Sequence, residues 1–167
     1  MINTSQFFSG FKEPISSGML ESCSELVLNR HKYNWQSYYN FYAVQVTDEE
    51  VFKDSFFRKL RESRNFIVGI IEIKPYHFYD WHVDTDRNCG INIPLDVDDS
   101  KCLFREEAGI NVPVFELSYK FRTAYLFNTQ KEHCVYNGVG YRRMISVRFL
   151  DDKPYDVIRE ELKDTLV

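Results

Sequence analysis

The stretch YDWHVDTDRNCGINIPL (residues 79–95) joins two apolar, strand-like runs through a short charged segment. The aromatic run before this segment and the isoleucine-rich run after it are typical of β-strands. His82 and Asp84 stand two residues apart where the first strand ends. Because side chains alternate along a strand, both are expected on the same face, where they could bind one ion.

Short β-prone runs of this kind continue along most of the chain, separated by Pro, Gly and Asp-rich breaks. The runs are residues 65–73, 76–83, 89–96, 112–119, 122–128, 133–137 and 141–150. Residues 40–47 predict a further strand, residues 47–63 a helix with a capping box, and the segment from Pro154 a C-terminal helix. Residues 96–111 are expected to form a loop at a pocket rim. The order predicts a mainly β fold with flanking helices, an antiparallel sandwich or small barrel.

Composition is typical of one globular domain over residues 1–167. The hydrophobic content is 44% and the aromatic content 16%, which supports a sizeable core. A net charge of −4 gives no general electrostatic reason to bind nucleic acid. We expect neither a secretory signal nor a membrane span. Four cysteines without a Cys-x-x-Cys pair predict reduced thiols in a cytoplasmic protein.

A second imidazole would complete a metal site, and His133 offers one. Imidazole nitrogen and carboxylate oxygen suit Fe(II), Mn(II) or Zn(II). If two strands of a barrel bring His82, Asp84 and His133 together, they form the two-histidine, one-carboxylate triad that leaves three coordination positions open. The alternative is that His133 is a partly exposed loop histidine without a ligand role.

Two adjacent arginines lie in the last strand-like run, YRRMISVRFL (residues 141–150). Alternation turns one of Arg142 and Arg143 inward and the other outward. An inward guanidinium is costly unless an anion meets it, and its planar fork suits a carboxylate. The pattern therefore indicates either a co-substrate that carries carboxylates or an internal pair with Asp or Glu.

The order His82-x-Asp84, then His133, then Arg143 resembles the iron(II)/2-oxoglutarate-dependent oxygenases. Within that superfamily, HVDTDRNCGINIPL and LFNTQKEHCVYNGVGYRRMISVRF resemble most the aspartyl/asparaginyl β-hydroxylase branch and its small bacterial and phage relatives. The resemblance implies a double-stranded β-helix core, also called a jelly-roll or cupin-like core. The implied core, N-terminal support and C-terminal helix are about residues 66–150, 1–64 and 154–165.

The resemblance also implies the contents of the site, namely Fe(II), O2 and the co-substrate 2-oxoglutarate. The implied catalytic residues and iron ligands are His82, Asp84 and His133. Arg143 would hold the distal carboxylate of 2-oxoglutarate, with Arg142 in its place if the strand phase differs by one residue. The further residues expected to line the site are Asn92, Tyr76 and Tyr79 for the co-substrate, and Arg87 and Asn88 for substrate or co-substrate. Trp81 is expected to pack beside the ligand strand.

The implied reaction is hydroxylation of a C–H bond with succinate and CO2 as co-products. The preferred substrate is a protein or peptide side chain, with a free amino acid or small metabolite as the alternative. A cupin-like metal-binding barrel, either an isomerase or a binding module, would not need the inward arginine. A structural domain would bury both histidines without metal. Arg142 and Arg148 also have the spacing of nucleic acid dealkylating oxygenases, but the acidic balance counts against that function.

Overall fold

The computed structural model describes residues 4–96, 99–109 and 111–167. The strands are β1 (Phe8–Gly10), β2 (Gln36–Ser37), β3 (Tyr42–Gln45), β4 (Phe66–Ile73), β5 (Phe78–His82), β6 (Cys89–Pro94), β7 (Lys101–Arg105), β8 (Val114–Leu117), β9 (Tyr125–Asn128), β10 (Glu132–Tyr136) and β11 (Arg142–Phe149). The helices are α1 (Ser17–Leu28), α2 (Asp48–Val51), α3 (Ser55–Ser63) and α4 (Tyr155–Glu161). None of the helices in these ranges is long and apolar enough to cross a membrane.

The strands form two antiparallel sheets. The major sheet has the order β1-β9-β6-β11-β4-β3-β2 and the minor sheet the order β5-β10-β7-β8. Neighbours in sheet order are mostly distant in sequence, as in a jelly roll, where the chain crosses repeatedly from one sheet to the other. The predicted mainly β fold with flanking helices and a jelly-roll core is confirmed.

The major sheet is buried on both faces. Ile145, Val147 and Phe149 of β11 belong to a large apolar cluster that also contains buried residues of the helices. The alternate residues of β11, Arg142, Ser146 and Arg148, face a cavity next to the minor sheet. Because side chains alternate in a strand, this one strand has an apolar face toward the helices and a polar face toward the cavity.

The predicted helix over residues 47–63 is divided into α2 and α3. Thr47 caps α2 by accepting a hydrogen bond from the Glu50 backbone at 3.4 Å. Asp54 interrupts the helix because its Oδ1 accepts from the Phe56 backbone N–H at 2.7 Å and caps α3. Its Oδ2 accepts from the Ser16 backbone N–H, also at 2.7 Å. The buried Asp54 thus ties the start of α3 to the start of α1.

The expectation of one rim loop over residues 96–111 is wrong for its middle part. Lys101–Arg105 form β7, which pairs with β10 on one side and β8 on the other. Cys102 and Phe104 are buried, whereas Lys101 is exposed, so a short alternating strand stands where the surrounding charges indicated a loop. Residues 97, 98 and 110 of the expected loop lie outside the described residues.

Candidate active site

The paired strands β5 and β10 bring the three predicted metal ligands together. His82, the last residue of β5, is the register partner of His133 in β10. Asp84 follows two residues later, and its Oδ1 lies 3.5 Å from His82 Nε2 and 3.8 Å from His133 Nε2. One potential ligand atom from each residue lies within 4.8 Å of the others. This spacing is small enough for one ion to contact all three.

Backbone carbonyl groups orient both imidazole rings. Nδ1 of His82 lies 2.6 Å from the carbonyl oxygen of Asp80, and Nδ1 of His133 lies 2.9 Å from that of Lys131. A carbonyl oxygen can only accept a hydrogen bond, so each Nδ1 carries the hydrogen. Each Nε2 is left with a lone pair directed toward the Asp84 carboxylate, which is the tautomer that a metal ion requires.

The charge states of the site also suit a metal. Burial, helped by the nearby His82, lowers the pKa of His133 to about 4, so its ring is neutral at neutral pH. Burial alone would raise the pKa of Asp84, but the neighbouring His82 and Arg87 outweigh it and lower the pKa to about 2. The site therefore has a free imidazole lone pair and an ionised carboxylate, which suit a divalent ion such as Fe(II), Mn(II) or Zn(II).

The three residues line a cavity of about 430 Å³ between the two sheets. Phe127 and Val135 provide apolar wall, and Asn92 and Arg142 provide polar groups. Val135, two residues after His133 in β10, pairs with Cys102. Burial raises the pKa of Cys102, and the nearby charge of Arg142 opposes that rise. Two residues of strand span roughly 7 Å. The cavity thus leads from the histidine–aspartate cluster to Arg142.

Arg142, not Arg143, faces this cavity. Arg142 is only 2% exposed, its Nη1 donates to Ser100 Oγ at 3.2 Å, and its guanidinium lies 5.2 Å from the centre of the Tyr119 ring. Arg143 is turned to the opposite face of β11, where it pairs with Glu72 and, at its Nη1, with Asp96. Arg143, which the resemblance implied as the 2-oxoglutarate residue, therefore lies outside this cavity, because the phase of β11 differs by one residue from the expected one.

Three buried polar atoms around Arg142 have no hydrogen-bond partner among the described residues. They are Nε of Arg142, Oδ1 of Asn92 and the hydroxyl oxygen of Tyr119. Burial raises the pKa of Tyr119, and the neighbouring Asn92 and Arg142 oppose that rise, so the three groups are close together. Buried polar groups are almost always paired. Two of these atoms, Nε of Arg142 and the Tyr119 hydroxyl, can donate, and they fit a carboxylate ligand such as one end of a 2-oxoacid.

The other predicted co-substrate residues divide between the cavity and the surface. Asn92 and Tyr79 line the cavity, and the Tyr79 ring centre lies 4.1 Å from that of His82. Tyr76 is 73% exposed, in a turn with φ of 58°. Its backbone N–H donates a hydrogen bond to the Gly138 carbonyl oxygen, and its ring does not line the cavity. The prediction for Tyr76 is corrected, because the turn before β5 directs it away from the cavity.

Arg87 and Asn88, the two residues predicted to contact a ligand from the loop after Asp84, also differ in their position relative to the cavity. Arg87 lines the cavity and pairs with Asp84. Asn88 instead hydrogen bonds with Asp152 through both its backbone N–H and its side-chain amide, and it does not line the cavity. Trp81 stacks with Arg105, whose guanidinium lies 4.2 Å from its ring centre, and Trp81 is absent from the cavity lining.

Cys102 in the cavity lining and Tyr119 beside Arg142 were not predicted from the sequence. Tyr119 follows β8 in a segment without regular structure, where tyrosines are common on the surface. Cys102 lies in β7, which the surrounding acidic residues made look like a loop. The available signal was the apolar run CLF (102–104), which is too short to identify a strand.

Solved structures of oxygenases share this fold. A prolyl hydroxylase from Trichoplax adhaerens, in complex with a peptide fragment of a hypoxia inducible factor, has a TM-score of 0.66 at 16% identity, with 92% of this chain and 88% of that chain covered. A Pseudomonas putida prolyl-4-hydroxylase has a TM-score of 0.65 at 11% identity, covering 87% and 94%. The viral collagen prolyl hydroxylase of Paramecium bursaria Chlorella virus-1, in a 2OG complex, has a TM-score of 0.58 at 14% identity, covering 89% and 98%. No family model and no curated protein sequence match, so the likeness concerns the fold.

Proposed function

We propose that this protein is an Fe(II)/2-oxoglutarate-dependent dioxygenase that hydroxylates a C–H bond, with succinate and CO2 as co-products. One observation supports the proposal most strongly. The cluster of His82, Asp84 and His133 opens onto the same cavity as Arg142, a buried cation with no ion-pair partner among the described residues. A metal-binding barrel without a 2-oxoacid would have no use for that arginine.

The residues of the cluster would hold the metal. His82 and His133 each present Nε2, and Asp84 adds a negative charge that offsets part of the charge of a divalent ion. When bound, Fe(II) would supply the oxidative chemistry toward O2 that side chains lack. Three protein ligands leave room for a chelating co-substrate and for O2.

The deep part of the cavity would hold 2-oxoglutarate. The Arg142 guanidinium would bind the distal carboxylate, while Tyr119 donates to it through the hydroxyl hydrogen. The side-chain amide of Asn92 lies beside them. Phe127 and Val135 would keep water away from the reacting end.

A protein or peptide side chain is the proposed substrate. The cavity continues outward to the turn between β2 and β3, where Tyr38 and Phe41 stack with ring centres 4.8 Å apart. An opening bordered by aromatic rings suits a side chain presented from a larger molecule, and one of the similar structures contains a peptide. On the resemblance of its motifs, we also propose that the chain is nearest to the aspartyl/asparaginyl β-hydroxylase branch.

An anaerobic titration with Fe(II) and 2-oxoglutarate tests the metal and co-substrate together. Chelation of iron by the keto acid gives a visible charge-transfer band, and the wild-type protein should show it with saturable dependence on 2-oxoglutarate. His82→Ala should abolish the band, because it removes one of the three ligands. Folded, iron-loaded wild-type protein that develops no band would contradict the proposed function.

His77→Ala is the matched control for His82→Ala. Nδ1 of His77 also lies near the carbonyl oxygen two residues earlier, that of Pro75, at 3.0 Å. His77 is exposed and absent from the cavity lining. The control should therefore retain the band with wild-type intensity, so a loss confined to His82→Ala is specific to the site.

A further inference from the structure

We propose that Arg87 is a positioning residue that holds the Asp84 carboxylate so that Oδ1 alone is presented to the metal. This inference rests on the proposed function and deepens it, since it concerns how the same site keeps positions open. Arg87 would act through Asp84, without being a metal ligand itself.

The contact that carries this inference is a hydrogen bond of 2.6 Å from Nε of Arg87 to Oδ2 of Asp84. The other oxygen, Oδ1, is the one that lies 3.5 and 3.8 Å from the two histidine Nε2 atoms. The two oxygens of one carboxylate therefore have different partners. One is bound by the guanidinium, and the other is directed toward the place where an ion would contact both imidazoles.

The Arg87 side chain is itself held in position. Its Nη1 lies 3.4 Å from Ser146 Oγ, and the centre of its guanidinium is 5.3 Å from the Phe127 ring centre. Gly90 leaves the necessary space, because a Cβ at that position would lie 3.1 Å from Nη1 of Arg87. The guanidinium is thus enclosed by β6, β9 and β11, which are three neighbouring strands of the major sheet.

The loop that carries Asp84 and Arg87 is fixed as well. The carbonyl oxygen of Arg87 accepts hydrogen bonds from Thr129 Oγ1 at 2.6 Å and from Gln130 Nε2 at 2.8 Å. Gln130 Nε2 also donates to the Asp84 carbonyl oxygen at 2.9 Å, and the Asp84 N–H donates to Thr129 at 3.0 Å. With both the backbone and the guanidinium fixed, the carboxylate has little freedom to rotate.

This restraint has a chemical consequence. A carboxylate that is free to rotate can bind a metal through both oxygens and occupy two coordination positions. Occupation of Oδ2 by Arg87 limits Asp84 to one position, which leaves three for a chelating keto acid and O2. Residues that orient metal ligands in this way typically change metal affinity by about 10 to 100-fold when they are removed.

The competing explanation is that Arg87 is only a counter-charge for Asp84. The two explanations predict opposite effects on metal affinity. A nearby positive charge repels a divalent cation, so removing a simple counter-charge should strengthen metal binding. Removing an orienting hydrogen bond should weaken it.

Substitutions of Arg87 can separate the hydrogen bond from the charge. In Arg87→Gln, the amide nitrogen Nε2 is bonded to Cδ, as Nε is in arginine, so a donor remains without the charge. Arg87→Met places a methyl group at that position and has neither donor nor charge. Arg87→Lys retains the charge but places a methylene group there and moves the donor one bond further out, to Nζ.

Anaerobic Fe(II) and Mn(II) titrations of these variants test the inference. Arg87→Gln should bind metal within about threefold of wild type, whereas Arg87→Met should bind about tenfold more weakly than Arg87→Gln. Arg87→Lys should also be weaker than Arg87→Gln although it retains the charge. In the Co(II)-loaded protein, the ligand-field spectrum of Arg87→Gln should match wild type, and that of Arg87→Met should shift as the carboxylate binds through both oxygens.

The outcomes that contradict the inference are distinct from failure of the proposed function. Equal or tighter binding by Arg87→Met than by Arg87→Gln would overturn the positioning role while leaving the metal site intact. If Arg87→Met does not fold by circular dichroism, Arg87→Leu, which also lacks both donor and charge, takes its place, and binding at least as tight as that of Arg87→Gln would overturn the role equally. Wild-type protein that binds no divalent metal would overturn the proposed function, and the inference with it.

Discussion

Arg142 and Arg143 are neighbours in sequence, yet they occupy two different electrostatic environments. Arg143, on the helix-side face of β11, pairs with Glu72 and Asp96 and lies 5.0 Å from the Tyr141 ring centre. Arg142, on the cavity face, lies near the ring of Tyr119 and hydrogen bonds with Ser100, but it has no ion pair among the described residues. Each arginine lies near a tyrosine ring, but only Arg143 has carboxylate partners.

The difference indicates which arginine serves the fold and which serves a ligand. An ionised group that is buried without a partner is costly, so its counter-charge must come from somewhere. The counter-charge of Arg143 lies within the chain, because it forms an ion pair with Glu72, which also pairs with Arg30. Arg142 has a cavity beside it instead. A comparison of matched variants at the two positions can test this division of roles.

The largest expected effect is on 2-oxoglutarate affinity. Arg142→Met should weaken binding by about 100-fold or more, since truncating one partner of a buried, hydrogen-bonded charge pair costs about 2–5 kcal/mol. Arg143→Met should change affinity by less than about threefold, because a charge on the opposite face of the sheet makes no contact with the ligand. Titration of the anaerobic Fe(II) protein, followed by the charge-transfer band, measures both affinities.

Iron binding without the co-substrate provides the control for that experiment. Arg142→Met should bind Fe(II) as wild type does, because the metal ligands lie on the minor sheet and in the loop after β5. A large loss of 2-oxoglutarate affinity in Arg143→Met, with little loss in Arg142→Met, would reverse the assignment and restore the original preference for Arg143.

The second prediction concerns pH and extends the comparison to His133, another buried ionisable group. Burial lowers its folded-state pKa to about 4, below the unfolded value of about 6.5. The metal-free protein should therefore lose about 2 to 3 kcal/mol of unfolding free energy as pH falls from 6.5 to 4, since only the unfolded state gains the proton there. Urea unfolding in the presence of a chelator measures this loss.

His133→Gln isolates the histidine contribution to that pH dependence. Glutamine does not titrate, so the slope of unfolding free energy against pH should be shallower than in wild type between pH 6.5 and 4. Identical slopes for the two proteins would show that His133 is not held neutral by burial.

The third prediction concerns the stability of the ligand-free protein, on which Arg143 rather than Arg142 should have the larger effect. In the absence of metal and 2-oxoglutarate, Arg143→Met should lower the unfolding free energy by about 1 to 2 kcal/mol, because buried Glu72 would retain only Arg30. The part-exposure of Arg143 keeps the loss below that of a fully buried pair. Arg142→Met should be neutral or stabilising, since it removes a buried charge without an ion pair in the described chain. Urea unfolding of both variants decides this, and a large destabilisation by Arg142→Met would indicate an internal structural role.

The two faces of β11 also explain how far the sequence could predict the site. The His-x-Asp spacing and the distant His133 were sufficient, because strand alternation places ligands on one face wherever the strand lies. Ile145, Val147 and Phe149 share the phase of Arg143, and they form the more apolar face of the strand. The sequence shows that the faces differ, but in a sheet buried on both sides it cannot show which one meets the helices.

Tyr119 and β7 could not be predicted for a related reason. β7 belongs to the minor sheet and Tyr119 follows β8 of the same sheet, where strands are short and β10 pairs with the distant β5 and β7. Local propensity contains no information about such pairing. Because β7 was missing from the predicted strands, the part of the cavity wall that Cys102 forms could not be predicted.

The smallest expected effect comes from the two tyrosines that lie beside the arginines. Tyr119→Phe removes a buried hydroxyl that has no partner among the described residues. It should weaken 2-oxoglutarate binding about tenfold, since a hydrogen bond to a charged carboxylate is worth at least about 1.5 kcal/mol. Tyr141→Phe, beside Arg143 on the other face, should leave affinity unchanged.

Stability without ligand separates a binding role of Tyr119 from a packing role. Removing an unpaired buried hydroxyl should leave the unfolding free energy of the ligand-free protein unchanged or slightly higher. If Tyr119→Phe destabilised the ligand-free protein and bound 2-oxoglutarate normally, the hydroxyl would have its partner within the chain. The comparison between the two arginines would then lose its strongest support, because the unpaired groups around Arg142 indicate that a ligand completes them.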